Sequence, residues 1–136
     1  MKLRIKGNSI RLRLGQSEAR TLAADGIVEE SITFGPTKEQ CLSYALCKSS
    51  ESPDVHAIFG NRRIIVHVPG ILIYQWVTSD QVSIQAIQTT GDDAELRILI
   101  EKDFECIDAA PGESQEDAFP NPQLSAVCAP AGERST

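Results

Sequence analysis

Residues 2–14, KLRIKGNSIRLRL, switch between polar and apolar at nearly every position on either side of Gly7-Asn8. A period of two marks a strand with one buried face, and a glycine-first Gly-Asn pair suits a type II′ turn, so the segment predicts a β-hairpin. A two-residue loop sets Lys6 against Ser9, Arg4 against Arg11 and Lys2 against Arg13. Leu3, Ile5, Ile10, Leu12 and Leu14 then share one face, while Lys2, Arg4, Lys6, Arg11 and Arg13 share the other.

The period changes in QSEARTLAADG, where Ala19, Leu22 and Ala23 sit at helical spacing, Ser17 is placed to cap and Gly26 to close the helix. Alternation returns from Val28 to Phe34 and ends at Gly35-Pro36. Gln40 to Lys48 predicts a further strand; one of its faces carries only Cys41, Ser43, Ala45 and Cys47, small enough for something to pack closely. Beyond a loop through Lys48 to Asp54, residues 55–68 (VHAIFGNRRIIVHV) read as a second hairpin around Gly60-Asn61. Pro69 opens a short helix through Leu72, Ile73, Trp76 and Val77, and strands Gln81 to Gln88 and Glu95 to Glu101 flank Gly91-Asp92.

Each half therefore reads strand, turn, strand, helix, strand, turn, strand. Sliding the chain by about fifty-four residues places Ile10 on Ile64, Leu12 on Val66, Leu14 on Val68 and Val28 on Val82. The expected fold is mostly β (α+β): residues 1–102 as one domain of two pseudo-repeats, 1–50 and 54–102. These form a pseudo-twofold sandwich or barrel with two short helices. Residues 103–128 read as an acidic, proline-containing tail docked through Phe119, and 129–136 as disordered.

The 136 residues, 41% of them hydrophobic, are enough for a single core. A net charge of −6 argues against a general nucleic-acid binder, and so does the scarcity of aromatics for base stacking. The charge is unevenly spread, however. Residues 1–24 carry six cations against Glu18 alone, and residues 101–119 carry seven acids against Lys102. Cations placed opposite one another on a hairpin repel unless an acid, an anion or a partner intervenes. Glu29 or the tail acids in cis are candidate counter-charges; an anionic ligand or an acidic protein surface is the alternative.

The four cysteines lack C-x-x-C spacing, and Cys41 and Cys47 lie too far apart along one strand to bridge, so any disulfide needs Cys106 or Cys128. With no signal segment and no apolar run long enough for a bilayer, reduced thiols in the cytoplasm are expected. If Gly60-Asn61 is a two-residue loop, His56, Arg63 and His67 share a face, with the imidazoles diagonal and able to share a metal. One extra loop residue sends His56 to the opposite face. Two histidines alone are an incomplete ligand set. No phosphate loop or dinucleotide fingerprint is present, and no cofactor is expected. Trp76, the only tryptophan, reads as core.

The opening MKLRIKGNSIRLRL-x-x-SE, with LIEKDFEC and DAFPNP later on, resembles a family of small uncharacterised bacterial proteins. The resemblance implies a bacterial cytoplasmic origin and brings neither an activity nor residue roles. The residues themselves favour a non-enzymatic binding or interaction module using the basic hairpin face. The alternatives are a metal- or thiol-dependent small enzyme drawing on His56, His67, Cys41, Cys47 and Cys106, and a structural homodimer formed through open strand edges.

Overall fold

In the computed structural model, which describes residues 1–104 and 117–120, the alternating segments become eight strands and the two helical segments become helices. The first hairpin joins β1 (Lys2–Lys6) to β2 (Ser9–Leu14) in the expected register, Lys2 with Arg13, Arg4 with Arg11 and Lys6 with Ser9. Only Gly7 of its two turn residues has a positive φ, 56°, in keeping with the type II′ geometry that a leading glycine permits.

Helix α1 (Gln16–Asp25) leads to β3 (Ile27–Thr33) and β4 (Cys41–Ser49), with a 3₁₀ turn at Lys38–Gln40 between the strands. Gly26 ends α1 in the left-handed conformation at φ 86°, its N–H donating to the Leu22 carbonyl at 3.0 Å. The second hairpin, β5 (His56–Gly60) and β6 (Arg63–Pro69), turns at Asn61-Arg62 rather than at Gly60-Asn61. Both turn residues have positive φ, 52° and 60°, the signature of a type I′ turn. Gly60 instead pairs with Arg63 inside the ladder. Helix α2 (Gly70–Val77), with Pro69 as its N-cap, precedes β7 (Ser83–Thr89) and β8 (Glu95–Lys102).

The strands form two four-stranded sheets, ordered β1-β2-β8-β7 and β3-β4-β6-β5, and they do not close into a barrel. Neither half makes a sheet by itself. Each sheet takes one hairpin from each half and joins them by a parallel central pair, β2 with β8 and β4 with β6. Leu12, Leu14, Ile84, Ile98 and Ile100 of the first sheet meet Leu46, Val66 and Val68 of the second in one core, which Leu22 of α1 and Ile73 and Trp76 of α2 complete. Trp76 is fully buried, and its indole N–H donates to the Val82 carbonyl at 3.0 Å. Lys102 lies at the inner edge of this core, 7% exposed; its ammonium donates to the Ser79 carbonyl at 2.7 Å and sits 5.2 Å from the Phe119 ring centre. Burial holds its pKa below the ordinary lysine value.

The start of α1 is capped by a segment far away in sequence. Gly15, not Ser17, is the N-cap, and Ser17 lies inside the first turn. The Asp117 carbonyl accepts from Gln16 N–H at 2.8 Å, and its carboxylate accepts from the Ser17 amide at 3.0 Å and the Ser17 hydroxyl at 2.7 Å. A Cβ on Gly15 would come within 2.4 Å of that carboxylate, which explains the glycine by crowding, its φ of −77° being ordinary. Phe119 continues the contact, bonding through its N–H to the Asp103 carbonyl at 2.8 Å and meeting the Phe104 ring edge-on at 6.0 Å. Of the tail read from the sequence, residues 105–116 and 121–136 lie outside the described residues.

Two stability outcomes follow from these local geometries. Asp117→Ala removes the bonds to Ser17 and should destabilise the fold by about 1 kcal/mol in chemical denaturation, as loss of an N-terminal cap does. The Ser17 hydroxyl bond holds the Asp117 carboxyl below its ordinary pKa, so this contribution is fully present above the usual aspartate value and is lost as the pH falls from there through the lowered folded value. Arg62→Gly should raise stability by about 0.5–1 kcal/mol, because a type I′ turn holds arginine in the left-handed region and glycine takes it without a Cβ penalty.

Candidate functional site

The parallel pairing of β2 with β8 decides what lies on the outer face of the first sheet. Three rows cross it: Lys2, Arg13, Glu101 and Ser83; Arg4, Arg11, Leu99 and Gln85; Lys6, Ser9, Arg97 and Ile87. The five cations read from the hairpin do share this face, and β8 adds Arg97 beside Ser9. Arg97 was visible in sequence as an outward position on its strand, but only the non-local pairing sets it beside the hairpin.

Among the described residues, counter-charge is concentrated at one end. Glu101 accepts from Arg13 Nε at 2.6 Å and lies 3.6 Å from Arg11 Nε, and Asp103 pairs with Lys2 at 3.0 Å. Glu29, expected near this face, instead belongs to the second sheet and bonds Arg63. Among the described residues Arg4, Lys6 and Arg97 enter no ion pair, and Nη1 of Arg4 is buried without a hydrogen-bond partner. An open groove of about 590 Å³, lined by Ser9, Arg11, Gln85, Ile87, Arg97 and Leu99, runs beside these cations. A smaller notch of about 140 Å³ lies among Lys2, Arg4, Arg11 and Arg13.

The outer face of the second sheet carries the other residues of interest. One row sets Ile27, Cys47, His67 and His56 side by side, so the histidines are direct partners rather than diagonal. Moving the turn by one residue keeps both on one face and brings them opposite each other; their rings stack 5.0 Å apart at 20°. Nδ1 of His56 lies 3.1 Å from the Ser52 hydroxyl and 3.2 Å from the Asp54 carbonyl. The carbonyl can only accept, which favours the tautomer with hydrogen on Nδ1. Burial first, then the positive charges available to His56 and Arg63, hold the His67 pKa below the ordinary 6.5. Burial likewise raises the Cys47 thiol pKa, against the smaller opposing pull of Arg63. Both groups are thereby kept neutral near pH 7. No three His, Cys, Asp or Glu side chains among the described residues are grouped to hold a metal ion. Cys41 and Cys47 are free thiols, and Cys106 and Cys128 lie outside the described residues.

The small-residue stripe of β4 has a specific use. The Arg63–Glu29 ion pair, 2.6 Å long, spans from β6 to β3 across Ser43 and Ala45, and Ala45 is fully buried. Larger side chains there would obstruct the pair. At the end of the molecule formed by the hairpin tips, an apolar cleft of about 320 Å³ opens between the sheets, with Ile5, Phe59, Ile64 and Leu96 on its walls.

Residues 1–123 match the profile of a family of unknown function, DUF7009. The chain belongs to that family. No curated protein and no solved structure matches it. No helix among the described residues is long and apolar enough to cross a membrane. Family membership assigns no chemistry, and the basic face of the first sheet is the strongest chemical asymmetry among the described residues.

The histidine pair supplies a pH test. In an NMR titration His67 should protonate below the ordinary histidine range, and His56→Ala should move it only part of the way back, because burial is the larger cause. Since folding depresses this pKa, neutral His67 favours the fold above the ordinary histidine value, and that contribution is lost as the pH falls below it.

Proposed function

We propose that the protein is a non-enzymatic binding module whose basic face takes an anionic partner. The observation that carries this reading is the imbalance at one end of the first sheet. Arg4, Lys6 and Arg97 share a face without ion-pair partners among the described residues, and Arg4 holds a buried guanidinium nitrogen with no acceptor. A buried, unsatisfied donor is costly, and an incoming carboxylate or phosphate oxygen supplies the acceptor it lacks. Glu101 and Asp103 neutralise the other end, which supports a role for the acidic segment in limiting how much of the face is available. The groove beside Arg11 and Arg97 also carries Leu99 and Ile87, which favours a partner with apolar as well as acidic groups.

The enzymatic alternative has less behind it. A reactive thiol needs a lowered pKa, whereas burial raises that of Cys47. A cytoplasmic bacterial setting belongs to the same reading as the binding module, and so does an internal duplication. The sheet orders β1-β2-β8-β7 and β5-β6-β4-β3 correspond element for element when the halves are exchanged, which supports the latter.

The full chain should be retained on immobilised heparin at low salt and released as salt rises. Charge reversal at Arg4 and Arg97 should abolish retention while leaving the thermal transition in place, and reversal of Lys38, away from this face, should leave retention unchanged. No retention of the full chain at low salt, or equal retention of the Arg4→Glu/Arg97→Glu variant, would overturn the proposal.

A further inference from the structure

The two sheets leave four outer strands, β1, β7, β3 and β5, and three of them are guarded. β1 carries Lys2, Arg4 and Lys6, and β3 carries Glu29 and Glu30. β5 is only five residues long, and the Gln88 side chain occupies its edge, accepting from Ala57 N–H at 2.6 Å and donating to the Ala57 carbonyl at 2.9 Å. β7 is different: SIQAIQT is seven residues long, with neither a charge nor a proline to discourage another strand.

The phase of its ladder shows which groups are available. Lys102 N–H donates to the Val82 carbonyl at 3.0 Å and Thr90 N–H to the Ala94 carbonyl at 2.9 Å, one at each end of the β7–β8 pair. Antiparallel bonding alternates, so the residues between them at even positions face β8, and the backbone groups of Ser83, Gln85, Ile87 and Thr89 point out from the sheet. Among the described residues only the Ser83 carbonyl has a partner, the Gln81 amide at 2.9 Å. Ile87, on the outer face of this edge, is 61% exposed.

We infer that β7 pairs with β7 of a second copy of this chain, antiparallel about a twofold axis at Ala86. Outward-pointing groups must meet outward-pointing groups, so odd positions pair with odd positions. Setting Ser83 against Thr89 and Gln85 against Ile87 uses the whole strand. Charge favours a second copy at this edge: β7 meets itself with no like charges opposed, whereas β1 or β3 meeting itself would bring cations against cations or glutamates against glutamates. The product is a continuous eight-stranded sheet with both Arg97 side chains on one face. The inference rests on the backbone edge of β7 and not on the charge imbalance that carries the anion proposal, although Ile87 also lines the groove beside Arg97.

The test is light scattering of the full chain over a dilution series starting at about 100 µM, with amide hydrogen exchange on the same samples. The expected mass is twice the 14.8 kDa of one chain, falling toward one chain on dilution, with slow exchange at Gln85 and Ile87 in the dimer. Ile87→Pro removes an outward N–H that β8 does not use, and Ile87→Lys places like charges near the twofold axis. Both should give the mass of one chain and fast exchange at Gln85 with the thermal transition retained. If Ile87→Pro unfolds the domain, Ile87→Lys decides. A chain that is monomeric at the highest concentration overturns the inference, and if Gln85 is nonetheless protected there, a segment of the same chain covers the edge. A dimer that persists in Ile87→Lys also overturns it, since another surface then holds the copies together.

Discussion

Two parallel strand pairs hold the molecule together. β2 against β8 and β4 against β6 are the contacts by which hairpins from opposite halves of the chain enter the same sheet. Because side chains alternate along every strand, those two registers determine at once which residues enter the core and which are displayed. Setting Leu12 beside Ile100 and Leu46 beside Val66 brings the apolar faces into one interior. A slip of one residue in either pairing would turn Arg11 or Cys47 inward.

The same register assembles the charged face. Arg13 comes beside Glu101 and Ser9 beside Arg97, so one end of the hairpin is neutralised by the acids at the end of β8 and the other gains a further cation. Among the described residues, the acids that pair with the hairpin sit at the very start of the acidic segment. Asp117, farther along it, is engaged at α1 instead, where it bonds the first turn of the helix. Attraction between the two oppositely charged ends of the chain is thus resolved into a few defined contacts, and part of the positive face stays without counter-charge among the described residues.

On the second sheet, close packing and polarity are reconciled differently. The small side chains of β4 leave a shallow lane for the Arg63–Glu29 pair, and farther along the same face Cys47, His67 and His56 form a row across three strands. Burial, and after it the neighbouring His56 ring stacked on it, disfavours protonation of His67. The row sets one thiol and two imidazoles in succession across three strands, and no group of three metal-binding side chains converges among the described residues.

Alternation made the first hairpin, its register and its basic face legible in the residues alone, because a two-residue turn with glycine in front leaves one pairing that sets Leu3, Ile5, Ile10, Leu12 and Leu14 on one face, of which Ile10, Leu12 and Leu14 enter the core. The left-handed Gly26 and the burial of Trp76 were legible for the same reason, being set by local conformation and by hydrophobicity. The second turn was not, since local rules favour Gly60-Asn61, whereas the observed Asn61-Arg62 turn holds an arginine in the left-handed region and depends on the ladder and on the neighbouring β4. The cap on α1 was hidden too: Ser17 is a good N-cap residue, but Asp117, a hundred positions away, reaches the helix start and leaves room only for glycine at position 15. Local pattern specified the elements and their apolar faces. Which strands became neighbours, and so where Arg97, Glu101, Glu29 and the two histidines met their partners, was decided by long-range burial, which no short window of residues contains.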